Sequence, residues 1–260
     1  MIIALLILSV IAAVLTVLFF KPTDRNRLKL IIAFSGSYLL SITALHLLPE
    51  VFVNTGRGPY FGAFILVGFF IQVMLEYFSG GIEHGHVHHD KSNAVPIGLL
   101  VGLCLHAFLE GLPLVDAAEG HDHSHHDHSH HDHSHHDHSH SHDGGEAWQS
   151  GLLWGIVLHK YPVAMVFFSM LLNSGMGKPK AFALLAVFGA MAPLGTLFGG
   201  AGIIDNFHRE SLAIVIGIFL HVSTTILFES SEGHKFNAYK MFAITLGLAI
   251  AGIGMFLHIH

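Results

Sequence analysis

Three side chains in a very apolar chain carry metal-ligand chemistry. His106 and Glu110 stand in "PIGLLVGLCLHAFLEGLPL", and His159 stands in "GLLWGIVLHKYPVAMVFFSMLL". His106 and Glu110 are four residues apart, so on a helix they share one face about 6 Å apart, within reach of a single ion. Neutral imidazole and carboxylate are ligands for zinc and other borderline divalent metals. All three lie near the middle of segments long enough to cross a bilayer, so they can share one depth. Ionisable groups at that depth are costly enough to mark a functional site, although a histidine bonded to a neighbouring carbonyl is also common there. Beside His159 stand Lys160 and Pro162. A lysine near the membrane centre costs roughly 2.5–3.5 kcal/mol on insertion scales. Pro162 has no N–H, so the Leu158 carbonyl loses its helical partner, which either opens the helix at the site or only kinks it for packing.

Such residues need membrane helices to hold them, and the composition supplies these. Of 260 residues, 52% are hydrophobic and 12% charged, which describes a polytopic membrane protein rather than a soluble domain. Eight helical spans are expected at 1–20, 30–53, 60–82, 94–115, 149–173, 180–204, 211–229 and 238–258. They form a single transmembrane domain over 1–260. The first span lacks the basic start and the cleavage site of a signal peptide and is read as retained. Stretches such as "FGAMAPLGTLFGGAG" let membrane helices pack closely, and long helical spans exclude an outer-membrane barrel. Cys104 is the single cysteine, so no disulfide framework arises, and it reads as a core thiol. Nothing points to nucleic acid.

Orientation follows from the cations. Lys21, Arg25, Arg27, Lys29, Lys91, Lys178, Lys180, Lys235 and Lys240 fall on one side of the membrane, and only Arg57 and Arg209 on the other. The first side is expected to be cytoplasmic, with both termini outside. A low-complexity loop at 117–147 then lies outside. It holds four copies of "HDHSH" followed by "SHD", and so polar a segment cannot build a core. Its imidazoles, at His121, His123, His125, His126, His128, His130, His131, His133, His135, His136, His138, His140 and His142, are candidates for metal capture. A solvated spacer or a tag is the bland alternative, and the interleaved aspartates argue against a tag. The cytoplasmic loop at 83–92 offers a smaller cluster of Glu83, His84, His86, His88, His89 and Asp90.

Further polar residues could line a route. Span 2 ends in "ALHLLPE" with His46 and Glu50, and span 7 ends in "TTILFES" with Glu229. Aligning the two glutamates sets two apolar residues in register. Because the spans cross in opposite senses, this fits an inverted repeat with one carboxylate at each mouth, while helix-end residues facing headgroups would look the same. Gln72 and Glu76 in "GFFIQVMLEYF" and His221 in span 7 are further route candidates.

Taken together, "ALHLLPE", "GFFIQVMLE", "HAFLEG" and "HKYPVA", in this order across eight spans, resemble the ZIP (Zrt/Irt-like protein) family of divalent metal transporters, in the subgroup with His-Lys in span 5. The resemblance implies an all-α 3+2+3 arrangement, with spans 1–3 and 6–8 as inverted repeats around spans 4 and 5. It implies import of Zn2+, or of Fe2+, Mn2+ or Cd2+, as substrate rather than as resident cofactor. Residue by residue, it makes His106 and Glu110 the span 4 ligands and His159 the first span 5 ligand. Val163 stands where many members have a further span 5 ligand, and Ala107 and a span 6 without a carboxylate depart from the two-metal pattern. Lys160, where binuclear members carry an acid, is read as a tethered cation in place of the second metal, pairing with Glu110. A metal exporter of the cation-diffusion type is the alternative, though such exporters usually have six spans. An intramembrane zinc hydrolase is a weaker one, since the chain lacks His-Glu-x-x-His. The partners expected are metal ions and the bilayer, with a homodimer left open.

If the histidine loop gathers ions for such an importer, deleting residues 120–143 raises the half-saturation concentration for metal uptake without abolishing flux. Vesicle uptake curves of the deletion and the intact chain check this, and total loss of flux would refute the assignment.

Overall fold

In a computed structural model of the chain, each of the apolar segments folds as helix. The structure describes residues 1–20, 25–53, 55–79, 97–114, 143–201, 207–229 and 238–258. In chain order the helices are α1 (Ile2–Phe20), α2 (Arg25–Ile42), α3 (Leu48–Phe52), α4 (Gly58–Ser79), α5 (Ile97–Gly111), α6 (Asp143–Asn173), α7 (Lys178–Gly200), α8 (His208–Glu229) and α9 (Ala238–His258). Six segments are long and apolar enough to cross a membrane, and two more, Ile97–Gly111 and Ala238–Gly254, are shorter apolar helices. No strand occurs among the described residues.

The largest departure from the expected boundaries is at α6, which begins at Asp143 rather than near 149. Hydropathy sees only the apolar part of a helix, whereas backbone hydrogen bonding continues into the polar residues before it. The histidine repeat and the 83–92 loop lie outside the described residues.

Prolines shape two of the spans. Between α2 and α3 the chain makes a π-helical turn, Thr43–Leu47, in which the Leu48 N–H reaches back to the Thr43 carbonyl. Pro49 explains it, because its missing N–H leaves the Leu45 carbonyl without the usual donor four residues on. The Thr43 hydroxyl donates to the Leu39 carbonyl at 2.7 Å in the same stretch. By contrast, α6 stays helical through Pro162. The expected opening of that helix is therefore limited to the one bond that proline cannot make to Leu158. A tight turn joins α6 to α7, with Gly175 at φ 76°, a conformation glycine adopts at no steric cost.

Two packing groups emerge from the helix contacts. In one, α6 packs on α1, α5 packs on α7, and α7 also touches α1 and α6. In the other, α4 packs on α8, α9 packs on α2, and α2 also touches α8. The groups meet where α2 lies against α6 and α4 against α5. Close backbone approach holds both groups. On α7, Gly195 and Gly199 sit four apart against the carbonyls of Phe108 and Leu112, and Gly217 of α8 sits against that of Ile65. A Cβ at any of these positions would overlap the facing oxygen, so small residues there set the interhelical distance. Cys104 packs at the edge of the core.

Gly195→Ala is therefore expected to destabilise the fold by about 1–3 kcal/mol, read as a lower thermal midpoint of the purified protein. Gly252→Ala, where a Cβ meets nothing within 4 Å, is the control expected to leave the midpoint unchanged or slightly raised.

Candidate metal site

α5 and α6 bring the three ligand-type side chains together deep in the helical packing. His106 and Glu110 are each 2% exposed and His159 is 1% exposed. One ligand atom from each lies within 4.8 Å of the others. His106 Nε2 is 3.0 Å from Glu110 Oε1, and the two imidazoles meet edge to face with centroids 6.1 Å apart. The spacing follows from the helix geometry, since residues four apart on α5 stack on one face and α6 supplies its histidine from the side. In tetrahedral coordination with bonds of about 2.0–2.2 Å, ligand atoms are roughly 3.3–3.6 Å apart. The trio can close on one divalent ion with side-chain movements of about an ångström.

Gln72 supports this cluster from the other packing group. It is fully buried on α4, and its Oε1 lies 3.0 Å from His106 Nδ1. Sequence reasoning placed Gln72 only among route residues. What a single sequence cannot show is that α4 abuts α5, the contact on which the pairing depends.

The neighbourhood of a second metal is apolar and cationic. Ala107 and Val163 are buried, and α7 carries no carboxylate. Lys160 is 1% exposed, its Nζ lies 4.4 Å from the centroid of the Phe188 ring, and Nζ has no hydrogen-bond partner among the described residues. The direct Lys160–Glu110 pair expected from the sequence is replaced by this contact with Phe188. The reason is geometric, because α7 places an aromatic face where the ammonium reaches it. A cation over a ring face gains about 2 kcal/mol or more when desolvated. Nothing in a chain with 21 phenylalanines singles out Phe188 beforehand.

The remaining candidates sit elsewhere. His46 is half-buried in the π-helical turn, which touches α6, α8 and α9. Glu50 is in the first turn of α3. Glu76, one turn beyond Gln72 on α4, pairs with His221 of α8 at 2.5 Å. The pair lines an open groove with Phe69, Thr224, Thr225 and Phe228. Glu229 ends α8, and its side chain is outside the described set, as are both histidine loops.

No curated protein matches the chain. The family described as ZIP zinc transporter does match, over residues 145–255. That stretch contains His159, Lys160 and Phe188 but not His106 or Glu110. Over these residues the chain is similar to the ZIP zinc transporters, in keeping with the resemblance read from the motifs.

Proposed function

We propose that this protein imports divalent transition-metal ions, zinc foremost, into the cytoplasm. The ion is bound by His106, Glu110 and His159 and passed across by alternating access. The observation that carries this reading is the convergence of three ligand atoms within 4.8 Å on two apolar helices, enclosed from solvent. A channel lined by scattered polar residues would not need so compact a set.

The direction rests on charge. Nine loop cations lie on one side of the expected topology, which puts them in the cytoplasm and the histidine repeat outside, where an importer gathers ions. Both termini then face outward, and the protein resides in the cell membrane. Fe2+, Mn2+ and Cd2+ are alternative substrates, since affinity order alone does not fix selectivity. An exporter would use the same central ligands, and only the sign of flux separates it. The hydrolase alternative needs a positioned water and a general base, and the buried trio serves better as a carrier site.

Alternating access is supported by the reciprocal packing. Exchanging α1 with α7, α2 with α8, α4 with α9 and α5 with α6 turns the α1–α6 contact into α5–α7. The same exchange turns α2–α9 into α4–α8. That is the pattern of an inverted repeat of three helices around a central pair, in an arrangement of eight spans. The ligands belong to the group of α1, α5, α6 and α7, so movement of that group against the other would carry the site. His46 and Glu50 would serve the outer mouth. Glu76, His221 and Glu229 would serve the inner one, ahead of the 83–92 cluster.

Lys160 takes the place of a second metal in this reading. A fixed ammonium beside the ligands repels a second divalent ion, and it keeps the affinity for the first low enough to permit release. Phe188 holds the ammonium when it does not face Glu110.

Zinc uptake into proteoliposomes tests the core of the proposal. His106→Ala should lower the uptake rate at least tenfold at sub-saturating zinc, whereas a hydrolase would move no ions in either form. Outward-only flux in oriented vesicles would overturn the direction. Lys160→Ala should change metal affinity, transport rate or folded abundance severalfold, and equality with the parent protein in all three would remove its role.

A further inference from the structure

We infer that Gln72 is a positioning residue for metal binding: from α4 it fixes the tautomer of His106 on α5 and so ties the ligand set to the relative placement of the two helix groups. This rests on the metal-carrier reading of His106, Glu110 and His159.

A neutral imidazole carries one proton, and the nitrogen that holds it cannot ligate a metal. Which nitrogen keeps the proton is set by the hydrogen bond the other atom makes. Gln72 presents its amide oxygen 3.0 Å from His106 Nδ1. An oxygen only accepts, so Nδ1 carries the proton and donates to it. Nε2 is then left with its lone pair, and that atom lies 3.0 Å from Glu110 Oε1. Lone pair and carboxylate both seek a cation between them. The opposite tautomer would place a proton on Nε2, donate it to Glu110 and close the pair without a metal. Gln72 selects the binding form.

Burial strengthens the selection. Gln72 is 0% exposed and His106 2%, so water does not substitute readily for the amide oxygen, and a buried ring N–H left unmet is costly. The position of Gln72 adds a second consequence. α4 packs on α8 in one group, while the ligands stand on α5 and α6 of the other, and α4 meets α5 at the boundary between groups. Sliding one group past the other lengthens the Gln72–His106 bond before it disturbs the ligands themselves. His106 is then released to the tautomer that bonds Glu110, and metal affinity falls as the site moves. Glu76, one turn further on α4, is paired with His221 of α8.

The test uses the full chain in proteoliposomes, with zinc uptake curves for Gln72→Leu, Gln72→Glu, His106→Ala and the double variant Gln72→Leu/His106→Ala. Outer-ligand hydrogen bonds of this kind are typically worth 10–100-fold in metal affinity. Gln72→Leu should raise the half-saturation concentration about tenfold or more. Gln72→Glu, which keeps an acceptor for Nδ1–H, should stay within a few-fold of the parent. In the His106→Ala background, Gln72→Leu should have no further effect. Nitrogen-15 spectra of histidine-labelled protein give a readout that a merely structural role would not move. The signal lost in His106→Ala should report protonated Nδ1 in the parent and in Gln72→Glu, and protonated Nε2 in Gln72→Leu.

Half-saturation unchanged in Gln72→Leu, an equal loss in the His106→Ala background, or a tautomer indifferent to Gln72 would each overturn the inference while leaving the carrier reading intact. An unimpaired His106→Ala would instead strike the carrier reading itself. Should Gln72→Leu fail to fold, Gln72→Met in the same spectra decides, since it fills the space without an amide oxygen.

Discussion

Everything in this protein is arranged around the expense of keeping charge inside a low-dielectric bundle. Glu110 and Lys160 are both almost fully enclosed, and an uncompensated buried charge costs several kcal/mol. The two do not neutralise each other by direct contact. Glu110 Oε1 lies 3.0 Å from His106 Nε2, and Lys160 lies on the face of Phe188. Glu110 is thus left without an ammonium locked onto it. A carboxylate locked onto an ammonium would be better satisfied and worse at accepting cargo.

The packing makes that arrangement affordable and movable. Glycine-mediated contacts bring α5 against α7 and α4 against α8 at backbone distance. Contacts between the groups run through α2 with α6 and α4 with α5. The site therefore sits in one group, close to its boundary with the other. The π-helical turn in α2 lies against α6 at the same boundary, and such turns concentrate at functional positions because the hydrogen-bond ladder there is already loosened.

The fold was largely legible from the sequence, because hydropathy and membrane thickness together dictate helices of this length. The exceptions have local causes. The start of α6 at Asp143 lies in polar residues to which hydropathy is blind. The π-helical turn depends on one missing N–H at Pro49. At the site, the i, i+4 spacing of His106 and Glu110 made their shared face readable, and the motif order supplied His159. Gln72 and Phe188 were not readable in these roles. Their contacts join residues 34 and 28 positions apart in sequence through helix packing, and a single chain records no such pairing. The Lys160–Glu110 pair expected from the sequence is not a direct contact in the structure, where the ammonium lies over an aromatic ring on α7.

The central claim is that one metal ion, and only one, binds between α5 and α6. Crystals of the zinc-loaded protein, measured at the zinc absorption edge, address it directly. An anomalous difference map should show a single peak among the helices, about 2.0–2.2 Å from His106, Glu110 and His159, with no second peak beside Lys160. Two peaks about 3.5–4 Å apart, or none near His106, would contradict the account.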